Sequence, residues 1–254
     1  MDSLEDIGEV NALKRITSGL EQTARVIEGP GDDCAVIRAD DGSRHDLLLT
    51  SDPVIMNTHF TPETPPAAVG RKAVGRVLSD IAAMGGEPLS VLFDISAKAE
   101  TPVSFLQEVY GGAASLGRKF GISVAGGDLS RGESLEIHAF AVGKVPRGGA
   151  VLRSGARAGD VIMATGVLGG SSRGKHIDFL PRVNEGIWLR QGRWISSLID
   201  ISDSPARDIT HIAEASAVGA EIEIARLPVS KDAALMADGK KASRHALYDG
   251  EDFE

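Results

Sequence analysis

The sequence contains a single cysteine, Cys34, so it can form neither an internal disulfide nor a metal cage built from cysteines. Aromatic residues make up only 4% of the chain. No apolar run approaches the ~20 residues that a membrane-spanning helix needs. Residues 1–8 are acidic and lack the basic and then apolar pattern of a signal peptide. These absences predict a cytoplasmic protein with no membrane partner.

Positive charge is also scarce, because 27 Lys and Arg stand against 36 Asp and Glu, a net charge of −9. This balance argues against a nucleic-acid partner, since phosphate contacts need clustered Lys and Arg. The acidic surplus suits a protein that binds cations. Glycine is abundant, with 30 residues, and predicts many tight turns and close backbone approaches.

The length of 254 residues predicts roughly two domains, at about 150 residues each. The chain breaks near residues 146–150, which include Gly148 and Gly149, so we expect domains at residues 1–146 and 147–254. Helical and strand patterns mix in both halves, which predicts an α/β or α+β class. Predicted helices cover 4–20, 62–84, 102–120, 187–197 and 204–217, and predicted strands cover 34–38, 45–50, 89–96, 122–125, 135–145, 161–165 and 221–225.

Several aspartates lie where a predicted strand or turn ends, and ligands of open α/β sheets bind just beyond strand ends. An isolated aspartate at such a corner is also a common turn or cap residue, which is the competing interpretation for Asp203 before Pro205. The set predicts a shared cation site. Its members are Asp32, Asp33, Asp52, Asp128, Asp200 and Asp203.

Asp80 lies one turn before the end of a predicted helix, where the helix dipole disfavours a carboxylate. Its neighbours are apolar or small, which indicates a cation opposite it, the alternative being a solvent-facing side chain. Magnesium suits such carboxylates, because it takes oxygen ligands and bridges them to the phosphates of a substrate.

The segment 169–175 fits the pattern G-x-x-x-x-G-K of a phosphate-binding loop. His176 follows it, in place of the Ser or Thr whose hydroxyl should hold magnesium. We therefore interpret this segment as a flexible glycine loop rather than a nucleotide site. The six histidines show no metal-binding spacing, so a zinc site is not expected.

Several motifs in a fixed order resemble those of the thiamine-monophosphate kinase family, within the aminoimidazole-ribonucleotide-synthetase superfamily. The resemblance extends from Gly29 to Glu254. The motifs are Gly-Pro-Gly-Asp-Asp-Cys-Ala (29–35), Thr-Ser-Asp (50–52), His59-Phe60, Leu-Ser-Asp-Ile-Ala-Ala-Met-Gly (78–85), Gly-Gly-Asp-Leu-Ser-Arg-Gly (126–132), Arg-Ser-Gly-Ala-Arg-Ala-Gly-Asp (153–160), Asp-Ile-Ser-Asp (200–203) and Gly-Glu-Asp-Phe-Glu (250–254).

The resemblance implies a two-domain fold whose N-terminal domain pairs with that of a second copy into a β-barrel, which makes a homodimer. It implies transfer of the ATP γ-phosphate to thiamine monophosphate, with several magnesium ions and potassium as a further candidate ion. The implied metal positions are Asp33, Thr50, Ser51, Asp52, Asp80, Asp128, Asp200 and Asp203. The implied ATP contacts are Tyr110, Gly126, Gly127, Arg153 and Ser202. The implied substrate contacts are His59 and Glu251.

Two features depart from the family pattern. The family usually reads Ser-Asp-Gly-Leu where this chain has Ser-Asp-Ser-Pro at 202–205, and Ser204-Pro205 predicts a helix start. The chain also stops at Glu254, where the family continues, so we expect a truncated C-terminal α/β domain. Two alternatives stay open: a catalytically silent nucleotide-binding or dimer-scaffold protein, and an ATP-dependent synthetase acting on another small substrate such as a purine precursor.

Overall fold

The structure, a computed structural model, describes residues 3–237 and 242–254. The fold is mixed α/β, as predicted, but every described strand lies within residues 26–146, so strands and helices do not mix in both halves. The strands are β1 (Val26–Glu28), β2 (Ala35–Arg38), β3 (His45–Ile55), β4 (Glu87–Ala97), β5 (Val124–Arg131) and β6 (Glu136–Pro146). The helices are α1 (Leu4–Thr17), α2 (Pro66–Ala83), α3 (Val103–Lys119), α4 (Lys175–Asp178), α5 (Val183–Gly192), α6 (Pro205–Ser216), α7 (Lys231–Met236) and α8 (Ala242–Tyr248).

The strands form one six-stranded sheet in the order β1-β2-β3-β6-β4-β5. Neighbouring strands are antiparallel except β4 and β5, which are parallel and joined by α3. The long β3–β6 ladder starts where His45 pairs with Pro146 and ends where Ile55 pairs with Glu136. Every strand of this sheet therefore comes from residues 26–146, and β6 ends at the predicted domain boundary. The division at that boundary stays a prediction.

Helix α2 is the central element of the core. An apolar stripe at helical spacing runs along this helix and is fully buried. That stripe consists of Val69, Ala73, Val77, Ile81 and Met84. The C-terminal half packs on other sides of the same helix, because the ring of Phe179 lies against Gly75 and Gly186 lies against Ala82. Since α2 is enclosed from several sides, its polar residues are also buried, and they form the site described below.

The other face of the sheet is open. Side chains alternate between the two faces of a strand, so the residues opposite the α2 face point away from the core. Among them, Leu49 is 39%, Leu92 is 47% and Phe140 is 43% exposed. Their strands β3, β6 and β4 are adjacent, which places these apolar side chains on one surface.

Two predicted strands are wrong. Residues 161–165 and 221–225 have strand-like patterns, yet neither forms a ladder with any described residue. Val161 and Met163 are 80% and 82% exposed. An apolar run or an alternating pattern expresses a local preference, but a strand exists only when a partner pairs with its backbone hydrogen-bonding groups. The predicted C-terminal α/β domain therefore has no sheet within residues 147–237 and 242–254.

Three element boundaries also differ from expectation. The predicted strand 122–125 extends as β5 through Gly126, Gly127 and Asp128, so Asp128 lies inside a strand rather than after it. Asp52 lies likewise inside β3. The predicted helix 187–197 starts earlier and ends at Gly192, because Arg193 adopts a left-handed conformation with φ of 53°. The start of α6 is confirmed, since the Ser204 hydroxyl accepts a hydrogen bond from the backbone N–H of Arg207.

None of the helices in the described residues combines the length and the apolar character that crossing a bilayer requires.

Candidate active site

Three aspartates from distant parts of the chain meet at one end of α2. Asp33 lies in the turn before β2, Asp80 lies on α2, and Asp200 lies in the segment before α6. A carboxylate oxygen from each lies within 4.8 Å of one from each of the others. We call these residues the aspartate triad. The sequence predicted all three as metal ligands.

Each member of the aspartate triad accepts one hydrogen bond from a neighbouring side chain. The Thr50 hydroxyl donates to Asp80, and the Ser79 hydroxyl donates to Asp200 at 2.6 Å. The remaining oxygen of Asp33, Oδ2, is buried and has no hydrogen-bond partner. A buried, unpartnered carboxylate oxygen is costly, so this atom indicates a missing ligand.

The electrostatics of the aspartate triad favour a cation. Burial and the neighbouring carboxylate of Asp200 raise the pKa of Asp33 to about 8. Burial, with the carboxylates of Asp200 and Asp52, raises the pKa of Asp80 well above its usual range. A divalent ion would relieve both the burial of charge and the repulsion. Oxygen donors of this kind fit magnesium, which takes carboxylate ligands together with phosphate oxygens.

Arg153, a predicted ATP contact, adjoins the aspartate triad. Its guanidinium Nη2 donates to Asp33 at 2.6 Å, and its backbone N–H donates to Asp32 at 2.9 Å. The hydroxyls of Ser197 and Ser216 both donate to its backbone carbonyl, at 2.7 and 3.0 Å. The arginine is therefore fixed from two sides, with a permanent positive charge beside the carboxylates.

A second cluster lies at the other end of α2 and contains both predicted substrate contacts. The Lys72 ammonium is fully buried and donates to the carbonyl of His59 at 2.7 Å. It also forms an ion pair with Glu251 at 2.8 Å and lies 3.2 Å from Nδ1 of His176. Burial raises the pKa of Glu251, but His176 and the charges of Lys72 and Arg76 outweigh it and lower that pKa to about 2.

Arg76 lies between the two clusters. Its Nε and Nη2 donate to the two oxygens of Asp52, at 2.7 and 2.9 Å, in a forked pair. Its Nη1 donates to Glu251 at 3.0 Å. Lys72, Arg76 and Asp80 are spaced by four residues, which places them along one face of α2. The helix thus connects the aspartate triad to the residues around His59 and Glu251.

The other predicted metal ligands are divided between the two faces of the sheet, and only some of them lie near the aspartate triad. Thr50 and Asp52 lie on the α2 side of the sheet, whereas Ser51 and Asp128 are exposed on the open face. Asp203 lies apart from the aspartate triad, beside Asp208 and His211, and forms an ion pair with Arg207 at 3.2 Å. Within one chain, Ser51 and Asp128 therefore do not reach the aspartate triad.

The predicted ATP contacts form two groups. Tyr110 packs on Phe93, with ring centroids 5.5 Å apart, and Gly127 pairs with Phe93 across the β4–β5 ladder beside Gly126. A side chain at Gly127 would collide with the carbonyl of Phe93, which explains the glycine. Of the other two predicted contacts, Arg153 adjoins Asp32 and Asp33, whereas the carbonyl of Ser202 accepts from the backbone N–H of Glu251 at 2.8 Å.

The 169–175 loop is built into the fold and does not form an open phosphate cradle. A side chain at Gly169 or Gly170 would collide with the backbone of α8 or α7. Lys175 donates to the carbonyl of Val167 at 2.8 Å and forms an ion pair with Glu254 at 2.9 Å. Helix α4, which follows the loop, is only four residues long.

Sequence reasoning missed Lys72, Arg76 and His176. The four-residue spacing of Lys72, Arg76 and Asp80 was a usable signal, because it places three charges on one face of an otherwise apolar helix. His176 carried no such signal, since only the fold brings it to Glu251.

Comparison with known proteins places this site in a family. The family model "AIR synthase related protein, N-terminal domain" matches residues 31–145. The thiamine-monophosphate kinase of Rhodopirellula baltica is 35% identical over 251 residues, which cover 97% of this chain and 77% of that protein. The chain belongs to the thiamine-monophosphate kinase family. The thiamine-monophosphate kinase of Escherichia coli K12 is 32% identical over 97% of this chain and 81% of its own length.

Solved structures of thiamine-monophosphate kinases share the fold. The structure of AaThiL complexed with AMPPCP and TMP superimposes with a TM-score of 0.90 at 29% identity, over 100% of this chain and 85% of that one. The thiamine-monophosphate kinase of Stenotrophomonas maltophilia K279a gives a TM-score of 0.77 at 27% identity, over 96% of this chain and 82% of that one. Both likenesses extend beyond the 31–145 segment into the C-terminal half.

Proposed function

We propose that this protein transfers the γ-phosphate of ATP to thiamine monophosphate, giving thiamine diphosphate and ADP. The observation that carries the proposal is the arrangement along α2. One end of this helix holds a carboxylate site suited to metal and nucleotide phosphates, and the other end holds His59 and Glu251 beside buried cations. A family member with this fold binds AMPPCP, an ATP analogue, together with TMP.

We propose magnesium as the metal, held by the aspartate triad and supplying positive charge that neutralises the phosphates of ATP. The unpartnered oxygen of Asp33 and the raised pKa values of the aspartate triad support this assignment. Thr50, Ser51, Asp52, Asp128 and Asp203 stay predicted metal ligands, and potassium stays a predicted further ion.

The residues of this chain contribute positioning and charge. Phosphoryl transfer needs no protein nucleophile, so the reaction depends on holding donor and acceptor in line. Arg153 is proposed to hold the nucleotide phosphates, and Ser202, Tyr110, Gly126 and Gly127 stay predicted ATP contacts. His59 and Glu251 are proposed to orient the acceptor. Burial and the charge of Arg76 lower the pKa of His59, which favours the neutral form of its imidazole.

We further propose a homodimer formed through the open face of the sheet, as in the β-barrel that the family resemblance implies. The exposed apolar side chains of Leu49, Leu92 and Phe140 support this interface. Ser51 and Asp128 lie on the same face, so dimerisation would bring them near the partner chain. The domain division at residues 146 and 147 and a cytoplasmic location belong to the same proposal.

The test is a product assay with ATP and magnesium, in which thiamine monophosphate is compared with a panel of purine precursors. We expect thiamine diphosphate and an equal amount of ADP. Asp80→Asn should lower turnover by about 100-fold or more, because one of the carboxylates that bind the metal is lost. Asp41→Asn, in an exposed turn, is the matched control. ADP release only with a purine precursor would establish a synthetase, and magnesium–ATP binding without turnover would establish a scaffold.

A further inference from the structure

Within the described part of the chain, Arg76 is the one cation that contacts both Asp52, on the side of the proposed metal site, and Glu251, on the side of the proposed acceptor site. It lies one helical turn from Asp80 on one side and one turn from Lys72 on the other. Each four-residue step along an α-helix covers about 6 Å. The guanidinium is therefore placed between the proposed metal and nucleotide site and the proposed acceptor site, where the transferred group must pass.

All three nitrogens of the Arg76 guanidinium are engaged with carboxylates. Two of them hold Asp52 and the third holds Glu251. The side chain is only 12% exposed, so the charge lies in a partly desolvated place. A metal ion at Asp52 would take over at least one oxygen that now accepts from Arg76. Loss of both hydrogen bonds to Asp52 would free Nε and Nη2, a donor pair suited to phosphate geometry.

We propose that Arg76 is a catalytic residue that contacts the transferring phosphoryl group. This inference rests on the proposed function. In the transfer, an oxygen of the acceptor phosphate forms a bond to the γ-phosphorus while the bond from that phosphorus to the β–γ bridging oxygen breaks. The electron pair of the broken bond leaves with ADP. No proton is transferred when the acceptor phosphate is ionised. The Arg76 guanidinium donates hydrogen bonds to the equatorial oxygens, which carry the charge in the transition state.

The experiment compares Arg76→Lys and Arg76→Ala with the wild type in the formation of thiamine diphosphate. The lysine variant keeps the positive charge but loses the paired N–H donors of the guanidinium. We therefore expect kcat to fall by about 100-fold or more, while KM for ATP stays within about threefold of the wild-type value. Added guanidinium chloride at low millimolar concentration should raise the kcat of the alanine variant by at least about tenfold over its value without the additive. Arg71→Lys is the matched control, because Arg71 lies on the same helix and pairs with the exposed Asp178 at 2.7 Å.

A second measurement separates this proposal from the proposed function. ADP, magnesium and aluminium fluoride together imitate the transferring phosphoryl group, and their binding needs no turnover. We expect the wild type to bind this mixture more tightly than ADP with magnesium, and Arg76→Lys to lose about 30-fold or more of that affinity while keeping its affinity for ADP.

A wild type that forms no thiamine diphosphate would overturn the proposed function, and the aluminium fluoride measurement would still decide the role of Arg76. Equal binding of the mixture by wild type and Arg76→Lys would overturn the role of Arg76. A wild type that binds the mixture no more tightly than ADP would overturn it as well, and so would a kcat of the lysine variant within about threefold of wild type. If the alanine variant does not fold, the kcat of the lysine variant and the aluminium fluoride measurement still decide the role of Arg76.

Discussion

At the scale of single residues, Asp33 makes folding sensitive to pH. Its pKa is raised by burial and by Asp200 to about 8, from an ordinary value of 3.8. Between these two values the folded protein holds a proton that the unfolded chain has lost. The contribution of Asp33 to the free energy of unfolding is therefore most favourable below about pH 4. This contribution is lost as the pH rises towards 8. Asp208, whose pKa burial raises to about 7, acts in the same direction.

We predict that the Tm of the metal-free protein, measured in chelator, falls between pH 5.5 and pH 8.5. Asp33→Asn should flatten this dependence, because the amide cannot ionise, and magnesium should raise Tm most at the alkaline end. Asp41→Asn is the control and should follow the wild type. Parallel pH profiles for wild type and Asp33→Asn would refute the account of this residue.

The aspartate triad could be predicted from the sequence, whereas the ion pairs that Lys72 and Arg76 form could not. Asp80 was anomalous on local grounds, because a carboxylate near the end of an apolar helix needs a cation or a donor. The spacing of Lys72 and Arg76 places them on the face of α2 that carries Asp80, but it does not show which residues they pair with. Their role depends on Glu251, which is far away in sequence and comes near only through the fold.

At the scale of elements, the crossing of α2 and α3 depends on two glycines. A methyl group at Gly112 would lie 1.8 Å from the carbonyl oxygen of Ala67, and one at Gly70 would lie 1.9 Å from that of Val109. The two helices therefore approach closely at both contacts. This approach matters for the site, because α2 carries Lys72, Arg76 and Asp80.

We predict that Gly112→Ala lowers the free energy of unfolding by about 1–3 kcal/mol, because the helices must move apart. Its neighbour Gly111 also lies inside α3, but nothing lies within 4 Å of the position that its Cβ would take. Gly111→Ala should therefore raise stability by up to about 1 kcal/mol, through helix propensity alone. Chemical denaturation of the two variants provides the measurement, and equal effects would contradict the close crossing.

Most helices and strands of residues 26–146 could be predicted, because their periodicity matches their burial. The failures at 161–165 and 221–225 have one cause. The apolar run at 161–165 and the alternation at 221–225 were both typical of strands, but strand formation also requires a neighbouring edge, which local sequence does not encode. The extension of β5 through Gly126 and Gly127 was missed because paired glycines usually mark a turn, whereas here Gly127 allows close approach to Phe93.

At the scale of the whole molecule, the open sheet face predicts self-association. Leu49, Leu92 and Phe140 form an apolar surface that a second copy would cover. We expect a dimer in sedimentation velocity experiments at micromolar concentration, and Phe140→Glu should shift it to monomer. Leu235→Glu, at a 69% exposed position on α7, should leave the dimer intact. A wild type that sediments as a monomer would contradict the interface.

The order of motifs along the chain is enough by itself to indicate the family. It does not indicate that Asp128 and Ser51 lie on the opposite face of the sheet from Asp52, because that depends on strand register. It also does not reveal that α2 connects the two ends of the site. The overall activity was therefore predictable, while the geometry that supports it was not.

The central claim is that this chain moves the γ-phosphoryl group of ATP onto thiamine monophosphate with the help of magnesium. The most direct measurement follows the label from ATP carrying ³²P at the γ position, in a single turnover with wild-type protein in excess. The account predicts that the label appears in the terminal phosphate of thiamine diphosphate when magnesium is present and that this product is absent in chelator. Label released only as inorganic phosphate, or transfer unaffected by chelator, would contradict it.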